Sequence, residues 1–332
     1  MLLILIILIL KQFFLIMSNI PSVNLSDFLS NNESLKSNFV NKIGKAYKEI
    51  GFVSLKGHFL AQSDIDNLYT QIKKFFSLPQ EIKNKYEFDG FKGQRGYTSF
   101  GKEHAKGKKE GDLKEFWHFG QYIDKENKDF NYPQNINIDE FPEFNEAGHK
   151  TYKALEKTGL FVLRAIALFL KLEENHFDKY VINGNSILRP IHYPPIKEEP
   201  KKAVRAAAHG DINFITLLMG AHGKGLQVKN NNGQWINAIA EKDEIIINVG
   251  DMLSRYTNNK LKSTIHRVVN PPKEHWTKSR YSIPFFLHPV GSMKLNVLDS
   301  CIDSDNPKMF DDISAHDFLI NRLIDIGVMK KE

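Results

Sequence analysis

The sequence predicts an α+β protein whose core is mainly antiparallel β-structure, with helices packed against it. Between residues 188 and 287, short apolar segments follow one another at strand-like intervals without a helical pattern between them. Two of these segments flank the run Asn230 to Gly233, which is a strong signal for a β-hairpin. Helical periodicity is found before residue 180 and near the C-terminus. Strands at this spacing favour a closed or sandwiched antiparallel fold.

The composition is that of an ordinary globular protein. The chain has 332 residues and a net charge of +6, which comes from lysines spread along the sequence. Only residues 106–109 form a short basic run, so we expect no nucleic-acid partner. A single cysteine, Cys301, excludes an internal disulfide framework and fits a reducing compartment. We therefore expect a monomer that acts in the cytoplasm.

Residues 1–17 form an apolar leader that fits no common targeting signal. It is short for a membrane span, which needs about 20 apolar residues, and Lys11 and Gln12 interrupt it. It also lacks the basic start and the small-residue cleavage site of a signal peptide. We interpret it as the product of a wrongly assigned upstream start codon, with Met17 as the true first residue. A membrane anchor is the alternative, although we expect no contact with a membrane.

Four segments have the spacing of amphipathic helices. They are residues 32–50, 63–76, 151–172 and 314–328. Asn32 or Ser34 is available as the N-cap of the first segment. The second segment ends near Pro79, because proline cannot continue a helix. The third is the clearest helix, and we expect it to pack under the β core.

Two histidines and one aspartate in the β-rich region have the pattern of a metal site. His209 and Asp211 are two residues apart, so on a strand their side chains point to the same side. His266 lies in a later apolar segment that could supply a third ligand from a neighbouring strand. Two histidines and one carboxylate on one face of a metal, with other positions open, form the site of non-haem Fe(II) oxygenases.

Further motifs stand in order around these residues. Residues 188–195 precede the histidine–aspartate pair, His266 follows Gly250-Asp251, and Arg280-Tyr281-Ser282 comes last. In these motifs, and over nearly everything after Met17, the chain resembles the isopenicillin N synthase-like branch of the 2-oxoglutarate- and Fe(II)-dependent oxygenases. The resemblance implies a double-stranded β-helix, or jelly roll, with packed N-terminal and central helices. It implies an N-terminal region over 18–135, a β-helix core over 180–290 and a C-terminal extension over 291–332.

The resemblance also implies the roles of individual residues. It implies that His209, Asp211 and His266 bind Fe(II), and that Arg280, Ser282 and Tyr193 hold the far carboxylate of 2-oxoglutarate. Many relatives carry asparagine two residues before this tyrosine, where the present chain has Ile191. Arg280 has independent support, because only eight of the 45 basic residues are arginine. An arginine in such a lysine-rich sequence indicates a need for its planar bidentate fork.

Three residues are candidates for substrate contacts. Arg95 and Tyr97 lie in a glycine-rich segment that lines the substrate pocket in similar enzymes. Arg95 either holds a substrate carboxylate or ties this segment to Asp112 or Glu115, and both readings stay open. Phe286 is expected on the same face of its strand as Arg280 and Ser282, near the mouth of the iron site, where it serves as substrate packing or as core.

The family resemblance implies an enzyme that uses Fe(II), 2-oxoglutarate and O2 to hydroxylate or desaturate a small molecule. Two alternatives remain at this point. An oxidase of the isopenicillin N synthase type has the same iron site but does not use 2-oxoglutarate. A non-catalytic β-barrel would keep the metal for structure or sensing. The sequence does not identify the substrate, since pocket loops vary freely on one scaffold.

Overall fold

The structure is a computed structural model that describes residues 20–88, 94–103, 111–123, 132–200, 203–220 and 225–325. The apolar leader and the basic run lie outside the described residues. Two β-sheets pack against each other, and most of the helices cover the outer face of the larger sheet. This confirms the predicted α+β class with a mainly β core, and the facing sheets form a jelly roll. None of the helices in the described ranges has the length and apolar character needed to cross a bilayer.

The helices follow the predicted pattern closely. In the described residues they are α1 (Leu25–Leu29), α2 (Glu33–Glu49), α3 (Gln62–Phe76), α4 (Gln80–Asn84), α5 (Glu143–Phe169), α6 (Asp178–Val181), α7 (Asp251–Tyr256) and α8 (Ala315–Asp325). Asn32 caps α2, because its side chain accepts hydrogen bonds from the backbone N–H groups of Ser34 and Leu35. The long helix α5 begins at Glu143 and not at the predicted Thr151. Its added first turns carry acidic residues, which stabilise a helix N-terminus.

The strands form one large and one small sheet. They are β1 (Ser22–Asn24), β2 (Phe52–Lys56), β3 (Gly96–Thr98), β4 (Glu115–His118), β5 (Ile187–Leu188), β6 (Ile191–Tyr193), β7 (Ala206–His209), β8 (Ile215–Met219), β9 (Leu226–Lys229), β10 (Trp235–Asn237), β11 (Ile245–Val249), β12 (His266–Val268) and β13 (Arg280–Leu287). The large sheet has the order β1-β2-β11-β8-β13-β6-β4-β3, with β5 also paired to β13, and the small sheet has the order β10-β9-β12-β7.

The predicted hairpin joins β9 to β10 in the small sheet. The Asn230 side chain accepts hydrogen bonds from the backbone N–H groups of Asn232 and Gln234, and Gly233 has a φ of +75°. A positive φ is readily adopted by glycine because it has no Cβ atom. The turn chemistry therefore confirms the hairpin that the sequence predicts.

The predicted N-terminal region and the predicted core share one sheet. The strands β1 to β4 come from the first region, and β2 pairs with β11 while β4 pairs with β6. Cross-strand hydrogen bonds thus run continuously between the two regions. The boundaries at residues 135 and 180 remain predictions from the sequence, and the large sheet has no break between the two regions.

The alternation of side chains along β8 and β13 separates the two faces of the large sheet. One set of residues faces α5, where a Cβ added to Gly159 would lie 2.4 Å from Leu287 Cδ1 and 3.4 Å from Leu217 Cδ1. Thr216 and Phe286 are opposite each other in the β8–β13 pair, so they face the other way, towards the small sheet. We call these the helix face and the inner face.

The space between the sheets is apolar in one part and polar in another. Leu218, Phe52 and Ile246 of the large sheet pack against Val228 and Val268 of the small sheet. Burial of these side chains holds the two sheets together. Beyond this cluster, the inner face carries the polar residues described next.

Candidate metal centre and co-substrate site

The structure brings His209, Asp211 and His266 together between the two sheets. His209 ends β7 and is paired with His266, the first residue of β12. Asp211 lies just after the end of β7 and not within a strand, so its approach depends on the turn that leads to β8. The Oδ1 atom of Asp211 is 3.9 Å from His209 Nε2 and 3.7 Å from His266 Nε2. One ligand atom from each residue lies within 4.8 Å of the other two.

Hydrogen bonds hold each of these side chains in the orientation that a metal requires. The Nδ1 atom of His209 is 2.7 Å from the carbonyl oxygen of Ala207, and that of His266 is 3.2 Å from the carbonyl oxygen of Thr264. A carbonyl oxygen only accepts, so each Nδ1 carries the proton and each Nε2 keeps its lone pair. Partners of this kind set the tautomer and the ring orientation of metal-binding histidines.

The carboxylate of Asp211 is held in the same way. Its Oδ2 atom accepts hydrogen bonds from Thr216 Oγ1 at 2.6 Å and from Asn248 Nδ2 at 2.8 Å, which leaves Oδ1 facing the two histidines. Each of the three residues thus has one polar atom held by the protein and one atom free. This donor set fits a divalent metal of the Fe(II) type.

Electrostatics keep Asp211 and His209 in the protonation states that bind a metal. Burial alone would raise the pKa of Asp211, but His266, His209 and the two hydrogen bonds to Oδ2 outweigh it and lower the pKa below its ordinary value. Desolvation in the partly enclosed site and the nearby His266 lower the pKa of His209 to about 4, although 42% of its side chain is exposed. The aspartate is therefore charged and His209 neutral at pH 7, as metal ligands must be.

The predicted co-substrate residues lie next to one another on the inner face. In the pairing of β13 with β6, Arg280 is opposite Tyr193 and Ser282 is opposite Ile191. The guanidinium carbon of Arg280 lies 5.1 Å from the centroid of the Tyr193 ring. Its Nη1 atom is buried and has no hydrogen-bond partner. The arginine ion pairs of the described residues involve Arg164, Arg189 and Arg322, and none involves Arg280.

Phe286 also lies where the strand alternation predicts. It faces the inner side opposite Thr216, the residue that donates to Asp211, and its ring is half-buried. The guanidinium carbon of Arg189 is 5.2 Å from the centroid of this ring. An aromatic surface therefore stands beside the histidine–aspartate group.

Arg95 and Tyr97 lie elsewhere. Tyr97 is on the helix face, where it pairs with Trp117 and packs against Phe75 with ring centroids 5.7 Å apart. Arg95 is buried and donates to the carbonyl oxygens of Pro133 and Gln94. The structure does not bring these two side chains to the metal ligands, and Arg95 is tied to the backbone rather than to Asp112 or Glu115.

Glu115 is the centre of a buried ion cluster on the helix face. Its carboxylate accepts hydrogen bonds from Lys83 Nζ at 2.7 Å, from His192 Nδ1 at 2.7 Å and from the hydroxyl of Tyr97. Burial would raise the pKa of Glu115, but these hydrogen bonds lower it below the ordinary value. His192 is therefore engaged away from the metal ligands.

We expect Glu115→Ala to lower the free energy of unfolding by about 3–5 kcal/mol, because it leaves the buried Lys83 without its partner. Urea unfolding followed by circular dichroism measures the loss. The control is Glu174→Ala, which removes a more exposed ion pair with Lys36 and is expected to cost about 1 kcal/mol or less. Similar losses in the two variants would contradict a structural role for the Glu115 cluster.

Several inner-face residues were not anticipated from the sequence. Thr216 and Asn248 hold the carboxylate of Asp211 by hydrogen bonds, but nothing in their sequence context indicates this role. Arg205 lies with its guanidinium carbon 5.5 Å from the Tyr193 ring and is 5% exposed. The rarity of arginine, which singled out Arg280, would also have pointed to Arg205.

A charged cluster adjoins Phe286 on the inner face. Arg189 donates to the ring of His118 and, at 3.3 Å, to the carboxylate of Glu103. Lys114 Nζ lies 2.7 Å from the same carboxylate. Burial raises the pKa of Glu103, but Arg189 and Lys114 outweigh it and hold the pKa far below its ordinary value. The charges in this cluster are therefore matched within the protein.

A surface cavity of about 840 Å³ lies beyond the end of β6. Gln80, Lys83, Pro195 and Glu199 are among the residues that line it. None of the three metal ligands lines this cavity, and neither does Arg280 or Phe286. The cavity is therefore separate from the metal centre.

Two sequence families match the chain. Residues 20–144 match the family described as the N-terminal part of non-haem dioxygenases in morphine synthesis. Residues 184–289 match the 2OG-Fe(II) oxygenase superfamily. The second match contains the histidine–aspartate group and the motif at Arg280.

Curated proteins resemble the chain over almost its whole length. Kihadalactone A synthase LFS of Citrus sinensis is 32% identical, and the alignment covers 92% of this chain and 93% of that protein. The 2-oxoglutarate-Fe(II) type oxidoreductase ppzD of Metarhizium majus is 28% identical, with 92% and 94% covered.

Solved structures share the fold. A Caulobacter crescentus protein assigned to the 2OG-Fe(II) oxygenase family has 41% identity and a TM-score of 0.85, and the alignment covers 93% of this chain and 99% of that one. A full-length Neurospora crassa protein in complex with alpha-KG and thymine has 30% identity and a TM-score of 0.80, with 92% and 96% covered.

Proposed function

We propose that His209, Asp211 and His266 are the iron ligands of this chain, which belongs to the 2OG-Fe(II) oxygenase superfamily. It is a 2-oxoglutarate-dependent dioxygenase that oxidises a small molecule. The observation that carries this proposal is that the two polar atoms of each side chain have different surroundings. One atom is held by a hydrogen bond to the protein, and the other points to a common centre. No other group of three histidine, cysteine or carboxylate residues in the described ranges converges in this way.

When bound at this centre, Fe(II) supplies the chemistry by which O2 converts 2-oxoglutarate to succinate and CO2 and oxidises a C–H bond of the substrate. The residues around this centre orient the three ligand side chains and keep water from them. Thr216 and Asn248 keep Asp211 from turning away, and the backbone carbonyls of Ala207 and Thr264 keep both imidazoles aimed inwards. Phe52 packs edge-on against His266 with ring centroids 5.6 Å apart, which restricts the ring and keeps water from its outer side.

We further propose that Arg280, Ser282 and Tyr193 bind the far carboxylate of 2-oxoglutarate. Arg280 has a buried N–H group without a partner, and a carboxylate is the acceptor that best matches a guanidinium fork. Ser282 and Tyr193 are buried beside it and supply hydroxyl donors from the same face. Ile191, opposite Ser282, offers an apolar wall there and no hydrogen bond.

The small-molecule substrate is proposed to lie against Phe286, next to Arg189 and Glu103. The aromatic ring offers apolar contact, and the buried charged cluster offers polar groups for orientation. Arg95 and Tyr97 are not part of this proposed surface. We also infer a monomeric cytoplasmic enzyme, because one chain supplies all three ligand atoms and Cys301 is a free, buried thiol.

Oxygen consumption by Fe(II)-loaded protein, with and without 2-oxoglutarate, tests the dependence on the co-substrate. We expect slow O2 uptake with succinate formation when 2-oxoglutarate is present, even without a substrate, and no uptake above background when it is omitted. Apo-protein with 2-oxoglutarate is the control. Uptake that ignores 2-oxoglutarate would point to an oxidase, and no uptake under any condition would favour a non-catalytic metal-binding barrel.

A further inference from the structure

Arg205 brings a second guanidinium group to the ring of Tyr193. It directly precedes β7 of the small sheet, whereas Arg280 begins β13 of the large sheet. Their guanidinium carbons lie 5.5 Å and 5.1 Å from the centroid of the same tyrosine ring. Tyr193 is therefore flanked by one arginine from each sheet, at the place where the co-substrate carboxylate is proposed to bind.

Both guanidinium groups have buried donors without partners. The Nε atom of Arg205 and the Nη1 atom of Arg280 are buried and make no hydrogen bond. Among the described residues, no carboxylate forms an ion pair with either side chain. Arg164, Arg189 and Arg322, in contrast, each have a carboxylate partner. Arg95 and Arg255 also have a buried N–H group without a partner. What distinguishes Arg205 and Arg280 is that both lie against one tyrosine ring.

Two neighbouring like charges without a counter-ion, one on the buried Arg205 and one on the half-buried Arg280, destabilise the folded protein. Burial and the neighbouring charge of Arg280 lower the pKa of Arg205 to about 10, which measures how unfavourable its charged form is there. A guanidinium group is not deprotonated in proteins near neutral pH, so the cost is present throughout the physiological range. Unmatched groups of this kind are characteristic of binding sites, where a ligand supplies the missing partner.

The ligand that this arrangement fits is a carboxylate held from two sides. A carboxylate has two oxygens and about four lone-pair positions, so it can accept hydrogen bonds from two guanidinium groups at once. Its charge would offset the repulsion between Arg205 and Arg280.

We propose that Arg205 is a fourth contact of the far carboxylate of 2-oxoglutarate, and that it clamps this carboxylate together with Arg280. The inference rests on the proposed co-substrate site and deepens it. Arg205 supplies from the small sheet a donor that the large sheet lacks at Ile191. The clamp makes the site selective for a dicarboxylate, because a 2-oxo acid without the far carboxylate leaves both arginines unmatched.

Anaerobic calorimetric titration of Fe(II)-loaded protein tests the clamp with two ligands, 2-oxoglutarate and 2-oxopentanoate, which lacks the far carboxylate. For Arg205→Met we expect the Kd of 2-oxoglutarate to rise by about 10- to 100-fold, as for the loss of a hydrogen bond to a charged group. The Kd of 2-oxopentanoate should change less than about twofold, because it has no group for Arg205 to bind. Arg205→Lys should lie in between, since it keeps the charge but not the fork.

The matched control is Arg164→Met, which removes an arginine on α5 that pairs with Asp178 on the helix side. It should bind both ligands as the wild type does. A melting curve gives a second readout. Without ligand, Arg205→Met should melt at the wild-type temperature or above it, because the repulsion with Arg280 is gone. Adding 2-oxoglutarate should raise the melting temperature of Arg205→Met by less than it raises that of the wild type.

The outcomes separate this inference from the proposed function. Wild-type binding of 2-oxoglutarate with an unchanged Kd in Arg205→Met overturns the clamp alone. An equal loss of affinity for both ligands also overturns it, since that marks a general disturbance of the site. A wild-type protein that binds no 2-oxoglutarate overturns the co-substrate site and the clamp together.

Discussion

The His266→Ala protein is expected to lose 2-oxoglutarate-dependent O2 uptake and most of its affinity for Fe(II). The imidazole supplies one of three converging ligand atoms. Loss of a group that merely supports a ligand costs roughly 10- to 100-fold in metal affinity, so loss of the ligand itself should cost at least as much. The fold should remain, because within the described part of the chain the side-chain hydrogen bond lost is the one to the Thr264 carbonyl oxygen. Anaerobic Fe(II) titration and circular dichroism measure the two effects separately.

The control for this variant is His288→Ala. Burial lowers the pKa of His288 to about 4, although the charge of the nearby Asp211 opposes this shift, and His288 is not one of the three converging residues. We expect His288→Ala to bind Fe(II) as the wild type does. Wild-type iron binding by His266→Ala, with loss of binding in His288→Ala, would move the third ligand to His288. His192 is a poorer alternative, since Glu115 and Ser279 occupy both of its ring nitrogens.

The Arg280→Ala protein is expected to need far more 2-oxoglutarate than Arg280→Lys. Truncating one partner of a buried charged hydrogen bond costs on the order of 2–5 kcal/mol, which raises the Kd by about 30-fold or more. Lysine keeps the positive charge but loses the planar fork, so its effect should be smaller. Succinate formation as a function of 2-oxoglutarate concentration measures both variants. Equal and small effects would mean that Arg280 lies outside the co-substrate site.

A double variant links this result to the second arginine. If Arg205 and Arg280 bind the same carboxylate, their effects should not add, because residues that share a partner are energetically coupled. The factor by which Arg205→Met/Arg280→Ala raises the Kd of 2-oxoglutarate should therefore differ from the product of the factors measured for the two single variants. Strict additivity would indicate that the two arginines act on different groups.

Local sequence was sufficient for the elements whose conformation depends on near neighbours. The cap at Asn32, the hairpin at Asn230 to Gly233 and the helix that ends near Pro79 follow from hydrogen bonds and steric limits within a few residues. The long helix shows the limit of this reasoning. Its first turns bury Phe144 and Ala147 against the large sheet, and that contact extends the helix upstream of the predicted start.

The sequence by itself also determined which residues on one strand share a face. Alternation along residues 280–287 is enough to group Arg280, Ser282 and Phe286, because the side-chain period of a strand is two. The His-x-Asp spacing and the rarity of arginine pointed to the ligands and to Arg280 before any contact was known. These inferences depend on spacing, on composition and on the resemblance to a known family, and on no tertiary contact.

Only the tertiary structure decided which face of the sheet becomes the site and what reaches it from the other sheet. Arg95 and Tyr97 lie in a segment expected to line the substrate pocket, yet the pairing of β3 with β4 turns Tyr97 to the helix face. Arg205 and Arg280 are far apart in sequence and meet at Tyr193 because two different sheets pack there. Strand pairing and sheet packing are long-range contacts, and no local pattern encodes which partner lies across the space between two sheets.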